Sequence, residues 1–363
     1  MRSLADHAYK RLYEGLNYRL RTFSAGRFAS LCRPASIALL LTERCNARCL
    51  HCDIWKNKGG EPGPTPEEWR RLVDDLRDWL GPVHVTFTGG EALLRPYTAD
   101  LVAHASSRGL FVEVLSHGYW LDQSRVEKLA LADPWRITIS LDAVSDTHSK
   151  IRGRPDFFPT TTKSIETLLR LRSEKALGYH LRLKTVVMEH NLDEVADVAR
   201  FATRDGVHVF YQPIEQNYNT GEDPSWFTAS ANWPRDIEKA VRVVEELIRL
   251  KREGLHIDNS YERLEAMARY FRDPAGLRIA TEAHSAHENQ SLCSALTTLQ
   301  IQANGDVKAC ATHETIGNIR QASIRRIWRD RPRWWEQGCC IAHRQAAAQA
   351  GGTPPGADPC PVP

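Results

Sequence analysis

Short apolar runs rich in β-branched residues alternate along the chain with segments of helical periodicity. The runs predict strands at Ser36–Leu41, Val83–Phe87, Leu110–Leu115, Arg136–Leu141, His180–Val187 and Val207–Gln212. Between them, apolar residues recur at helical spacing over Pro66–Leu80, Thr98–Arg108, Ser124–Ala132, Thr160–Ser173 and Leu192–Arg204. A sixth helix near Pro234–Arg252 follows the last strand. Six strand–helix repeats of this length predict a parallel sheet. No Gly-x-Gly-x-x-Gly turn follows any strand, which favours a curved sheet over an open dinucleotide-binding one. The expected fold is therefore α/β, a partial (β/α)6 TIM-like barrel over residues 35–255. Its functional loops lie at the C-terminal ends of the strands.

Three further segments flank it. Residues 1–34 carry Leu4, Leu12, Tyr13, Leu16, Leu20 and Phe23 at near-helical spacing. Their seven basic residues (Arg2, Lys10, Arg11, Arg19, Arg21, Arg27, Arg33) face only Asp6 and Glu14. Such a helix either packs on the barrel or rests on an anionic membrane surface. Residues 256–290 read as a helical linker. Residues 291–363 read as a small β-hairpin-plus-helix domain, with an Asn304-Gly305 turn between alternating apolar residues and a Gly/Pro-rich tail. The stretch 213–235, with Gly221, Pro224, Trp226, Trp233 and Pro234, is too long for a simple connector and reads as a lid or a substrate contact.

Length and charge narrow the function. At 363 residues the chain can bury a large core, and a net charge of +3 gives no footing for nucleic acid. No run is apolar for long enough to span a bilayer, and no signal peptide is visible, so a reducing cytoplasm is expected, with peripheral membrane contact through the N-terminal helix as the alternative. Nine cysteines then need a reason. Cys45, Cys49 and Cys52 sit together, and Cys293, Cys310, Cys339, Cys340 and Cys360 gather near the end, with none between 53 and 292. Clusters of this kind in a reducing compartment read as two metal sites, iron–sulfur or zinc, and Cys32 is the odd one out.

The strand ends carry the remaining chemistry. The first leads into the three-cysteine loop, which can hold three irons of a cubane and leave the fourth open. The second leads into Thr88-Gly89-Gly90-Glu91, with room for close approach and a carboxylate for a cationic group. The fourth ends in Ser140-Leu141-Asp142 and runs on to Arg152-Gly153-Arg154. The fifth ends near Val187 and Asn191, and the sixth at Tyr211-Gln212, the two candidate substrate contacts.

Cys-x3-Cys-x2-Cys after a first strand, with Gly-Gly-Glu after a second, resembles the radical S-adenosylmethionine (SAM) enzymes. The resemblance implies that Cys45, Cys49 and Cys52 ligate a catalytic [4Fe-4S] cluster whose open iron is chelated by SAM. Thr88, Gly89, Gly90 and Glu91 would receive the methionyl ammonium. His51 would lie near the adenine, Ser140 and Asp142 near the ribose, Arg152 at the SAM carboxylate, and Val187 and Asn191 along the adenine. Downstream, Cys-x11-Gly-x4-Cys, Ile316-Gly-Asn-Ile319 and a helix ending in Ile327-Trp328 resemble the SPASM or twitch extension. That implies an auxiliary iron–sulfur cluster held by Cys293, Cys310 and one or both of Cys339 and Cys340, with Cys360 as a further ligand. The adjacent Cys339 and Cys340, followed by His343, depart from the usual pattern.

The function expected from the resemblance is reductive cleavage of SAM to a 5′-deoxyadenosyl radical, which abstracts hydrogen from a small-molecule substrate. A sugar, nucleoside, aminoglycoside or lipid precursor would then be oxidised, epimerised or rearranged. A flavodoxin or ferredoxin would supply the electron. One alternative is the maturation of a ribosomally made peptide or protein, and another is a non-catalytic iron–sulfur or zinc scaffold.

Overall fold

The computed structural model describes residues 3–23, 28–57, 62–218, 220, 223, 225–274, 296–309 and 315–332. Helix α1 (Leu4–Phe23) precedes strand β1 (Ser36–Leu40). There follow α2 (Pro66–Leu80), β2 (His84–Thr88), α3 (Thr98–Ser107), β3 (Phe111–Ser116), α4 (Ser124–Leu131) and β4 (Arg136–Ser140). Next come α5 (Asp146–Arg152), α6 (Phe157–Glu174), β5 (His180–Val187), α7 (Val195–Arg204) and β6 (His208–Pro213). Short α8 (Trp226–Ala229), then α9 (Ile237–Arg252) and α10 (Tyr261–Arg272), lead to β7 (Thr298–Ile301), β8 (Asp306–Lys308), β9 (Gly317–Asn318) and α11 (Ile324–Arg329).

The six expected strands pair in parallel in chain order. The sheet runs β6-β5-β4-β3-β2-β1-β7-β8-β9 and does not close on itself. The curved, partial barrel is thus the observed architecture. The terminal hairpin joins this sheet: β7 pairs in parallel with β1, and β8 and β9 add antiparallel strands. Its turn differs from the two-residue form. Gln302 N–H donates to the Asp306 carbonyl, which leaves a three-residue loop with Gly305 at φ 92° and Asn304 capping Asp306 N–H.

Two sides of the sheet do different work. Tyr211 donates its hydroxyl to the Val195 carbonyl of α7, so Val209 and Tyr211 face the helices. Leu183 and Thr185 are their parallel partners and share that side. The alternate residues face inward: Thr86 and Thr88, Glu113 and Leu115, Thr138 and Ser140, Arg182, Lys184 and Val186, and Phe210 and Gln212. The helix side holds the apolar core, with Trp69, Leu72, Leu76 and Leu80 of α2 buried among the strand residues Val85 and Phe87. A capping box fixes the start of α2, with Thr65 and Glu68 bonding each other's N–H groups and Pro66 opening the helix.

The floor of the inner face is a buried ion cluster. Glu113 accepts from Thr138 at 2.6 Å, lies 3.1 Å from His84 Nε2 and pairs with Arg182. Burial opposes its charge, but His84 and Arg182 outweigh burial and bring the carboxyl down to about 2. Helix α1 closes the strands from outside at this end. Tyr13 donates to the Pro34 carbonyl, Tyr9 to the Leu80 carbonyl, and His7 stacks edge-on against Phe111. Cys32 is explained by packing: it is buried in the core, under the Trp328 indole, which donates to its carbonyl.

Candidate active site

Cys45, Cys49 and Cys52 leave the top of β1 as three free thiols. They pack with Ala47, Tyr119 and Phe157 in a small cluster separate from the main core. Three neighbours clamp their loop through its backbone. From the β2 side, Gly90 N–H donates to the Thr42 carbonyl at 2.7 Å and Glu91 N–H to the Arg44 carbonyl at 2.9 Å. From α5, the carbonyls of Arg152 and Ile151 accept from Arg48 and Leu50 N–H, both at 3.0 Å. From the far side, Asn217 and Asn232 donate to the Leu50 carbonyl, and Cys52 bridges Tyr218. Asn217, Tyr218 and Asn232 of the long 213–235 stretch thus wall the cysteine loop.

The glycines make this closeness possible. A Cβ on Gly89 would overlap the Thr42 carbonyl, one on Gly90 the Arg44 carbonyl, and one on Gly153 the Arg48 carbonyl. Gly89 and Gly153 also hold φ at 129° and 77°, where other residues are strained. The close approach read from Gly-Gly-Glu is therefore one of backbone to backbone.

Buried charge organises the rest. Asp142 is fully buried and takes Arg152 at 2.8 and 2.7 Å through Oδ2, while Oδ1 accepts Val186 N–H. Burial alone would raise its carboxyl. The Arg152 guanidinium and His148 outweigh burial and hold it well below the usual range. Arg152 reaches on to Cys49, with Nη1 3.6 Å from Sγ. Glu91 is also buried, and its oxygens accept from His117 N–H, Leu93 N–H and the Ser116 hydroxyl. Burial dominates there and lifts its pKa to about 7.

His117 ties these parts together. Its Nδ1 accepts Tyr119 N–H, which assigns the proton to Nε2, 2.7 Å from Asn46 Oδ1. Burial holds it neutral, with a pKa of about 3. Burial also raises all three cysteine thiols, Cys45 to about 12.

Several expected residues meet at this place. Thr88 and Ser140 end their strands on the inner face, and Gln212 lies on that face beside Val186. His51 stands among the cysteines, its Nδ1 buried without a partner and its pKa lowered to about 4 by burial. Others are engaged within the chain itself. Asp142, expected at the ribose, is consumed by Arg152, His148 and Val186. Arg152, expected at the SAM carboxylate, is committed to Asp142 and Cys49. Glu91, expected to meet a cationic group, spends its oxygens on donors of its own chain. Val187, expected along the adenine, shares the helix side of the sheet with Leu183 and is buried in the core. Asn191 shapes the turn after β5 by bonding Met188 N–H and the Asp142 and Val186 carbonyls. Tyr211, expected at substrate, faces α7. Cys293, Cys310, Cys339, Cys340, Cys360 and His343 lie outside the described residues.

A family model described as Radical SAM superfamily matches residues 39–211, and one described as Iron-sulfur cluster-binding domain, SPASM, matches residues 293–346. The chain is a radical SAM protein with a SPASM domain. It is 26% identical to an AdoMet-dependent heme synthase of Methanosarcina barkeri over 304 residues, 81% of this chain and 82% of that protein. It is 33% identical to the sporulation killing factor maturation protein SkfB of Bacillus subtilis over 181 residues, 49% of this chain and 42% of SkfB. Its fold is similar to that of Streptococcus suis SuiB bound to S-adenosylmethionine, with a TM-score of 0.63 at 14% identity, over 84% of this chain and 68% of SuiB.

The family's cofactors are a [4Fe-4S] cluster, SAM and the auxiliary iron–sulfur cluster of the SPASM domain. The donor set suits the first of these. Among the described residues, no three His, Cys, Asp or Glu side chains converge on a single-ion site. Cys45, Cys49 and Cys52 pack together in one small cluster, and three thiols from one loop suit a polynuclear iron–sulfur centre. The buried sulfurs need a cation to become thiolates, and irons supply it. With cluster and SAM bound, the pair supplies a 5′-deoxyadenosyl radical after one-electron reduction. The chain's part is to position: α5 and the Gly-Gly-Glu loop fix the cysteines, His117 joins the two loops, and the inner face holds polar side chains below.

Sequence reading missed His117, Tyr119, Phe157 and helix α5. His117-Gly118, straight after β3 and at a strand's C-terminal end, was the available signal. For α5 it was Ser145 before the helix, where the side chain accepts Thr147 N–H, and Gly153 just past its end.

Proposed function

We propose that this radical SAM enzyme is an oxidoreductase that matures a peptide or protein substrate. Cys45, Cys49 and Cys52 hold the catalytic cluster, Thr88, Gly89 and Gly90 line the SAM amino-acid end, and Ser140 and His51 flank its nucleoside. The observation carrying the peptide reading is the 33% identity to SkfB, a maturation protein, over 181 residues of this chain. Small molecules, expected first from the sequence, become the second reading. It is favoured by the heme synthase, whose similarity extends over four-fifths of both chains. A flavodoxin or ferredoxin is the proposed electron donor. The test is anaerobic incubation of reconstituted enzyme with SAM, reductant and each short peptide encoded beside its gene. A peptide that gains a mass change and raises 5′-deoxyadenosine release supports maturation. Release raised by a porphyrin and by none of the peptides overturns it.

We also infer that α1 docks on an anionic membrane surface. Leu4, Leu12 and Leu16 are 90%, 75% and 60% exposed on the face of α1 away from the sheet, beside exposed Arg11 and Arg19. An apolar stripe edged by cations suits anionic lipid. Docked this way, the enzyme would hold its strand C-termini, and the cysteine loop, away from the bilayer. Among the described residues no helix is long and apolar enough to cross a membrane.

A further inference from the structure

Buried polar atoms that find no partner are rare in a folded chain, and each calls for an explanation. Among the described residues, His148 Nε2 is such an atom, and the His148 side chain has no exposure at all. Its proton can be placed. Nδ1 lies 3.1 Å from the Asp142 nitrogen and accepts that N–H, which assigns the ring proton to Nε2. His148 therefore carries an N–H donor, sealed from solvent, on the edge of the ring away from the Asp142 backbone.

The ring stands on the cysteine side of α5. His148 and Arg152 are one turn apart on this helix, and Arg152 Nη1 lies 3.6 Å from Cys49 Sγ. The His148 ring is edge-on to Phe157, with centroids 5.4 Å apart and planes at 77°. Phe157 in turn packs with Cys45, Cys49 and Cys52. His148 is thus held between the Asp142 backbone on one side and the aromatic wall of the cysteine loop on the other. His117, the other histidine against Phe157, is settled within the chain, its Nε2 meeting Asn46 Oδ1 at 2.7 Å. Thiolates and sulfides are the acceptors that a cluster on these cysteines brings, and hydrogen bonds to such sulfurs help to set the potential. A donor there favours the more negative, reduced state.

We propose that His148 Nε2–H is hydrogen-bonded to a sulfur of the iron–sulfur cluster held by Cys45, Cys49 and Cys52, and so raises the reduction potential of that cluster. His148 is a positioning residue here and takes no part in bond making. The proposal rests on the reading that these three cysteines hold the cluster.

Two variants separate the ring nitrogens. His148→Asn keeps an oxygen where Nδ1 accepts Asp142 N–H and removes the outer donor. His148→Gln puts an amide N–H where Nε2 stands. Anaerobically reconstituted wild type and both variants are poised at set potentials, and the reduced cluster is read by electron paramagnetic resonance, first without SAM and then with it. Iron content by ferrozine normalises the signal. Loss of one hydrogen bond should lower the reduced-to-oxidised ratio at the wild-type midpoint about five-fold in His148→Asn, about 40 mV for a one-electron couple, and His148→Gln should restore it. An unchanged potential in His148→Asn overturns the proposal, as does an equal fall in both variants, which is the mark of repacking. A fall that occurs only with SAM bound assigns the donor to SAM and overturns it too. Wild-type protein that assembles no cluster sinks the cluster reading, and this proposal with it, before any potential is read.

Discussion

The buried pair Asp142–Arg152 joins the end of β4 to the cysteine loop, and replacing Asp142 by Leu should be among the most damaging changes outside the cysteines. Both partners are buried, and Arg152 would keep its charge with only the Cys49 sulfur nearby. Removing one partner of such a pair costs about 3–5 kcal/mol. Val186 N–H would also lose its acceptor, which adds about 1–3 kcal/mol where no water replaces it. The Arg152→Met change alone leaves a buried carboxylate, and the double variant leaves neither charge. Asp142→Leu/Arg152→Met should therefore be more stable than Asp142→Leu by about 2 kcal/mol, because two apolar side chains replace a buried pair with small penalty. Urea unfolding followed by the fluorescence of the ten tryptophans measures all three. The folded carboxyl is held below its unfolded value, so its stabilisation is present above about pH 4 and is lost as pH falls further. A single-variant loss under about 1 kcal/mol, or strictly additive losses, would refute the view that this pair supports the cysteine loop.

Glu91 gives the opposite pH sign. Its folded pKa of about 7 lies above the unfolded value, so wild-type stability should fall by on the order of 3 kcal/mol between about pH 4.5 and 7, and Glu91→Gln should flatten that slope in urea titrations. Gly153→Val should lower the iron retained after reconstitution to less than half, read by a ferrozine assay, because its side chain collides with the Arg48 backbone and its φ is left-handed. Leu12→Glu/Leu16→Glu should abolish flotation with vesicles containing phosphatidylglycerol and leave SAM cleavage intact. Flotation equal to that of wild type would discard the membrane surface.

Much of this was legible in the sequence, and the remainder failed for identifiable reasons. Strand rhythm and the spacing of Cys45, Cys49 and Cys52 are local signals, so the six parallel strands and the loop at the top of β1 followed directly. Side chains such as Asp142, Val187 and Asn191 could not be assigned that way. Whether a residue at a strand end faces the ligand space or turns back into its own fold depends on partners far along the chain. Asp142 finds Arg152 ten residues on and Val186 forty-four residues on. Tyr211 and Gln212 show the same limit at its smallest: adjacent residues on β6 face opposite sides of the sheet, and only the Val195 contact decides which is which. Helix α5 is seven residues long, below what periodicity resolves, yet its C-terminal carbonyls hold the cysteine loop.

The central claim is that Cys45, Cys49 and Cys52 form the SAM-cleaving centre. Anaerobically reconstituted protein, given dithionite and SAM, should release 5′-deoxyadenosine and methionine in equal amounts, measured by liquid chromatography. The triple variant Cys45→Ala/Cys49→Ala/Cys52→Ala should release neither. Undiminished release from the triple variant, or none from wild type with its cluster intact, would contradict the account.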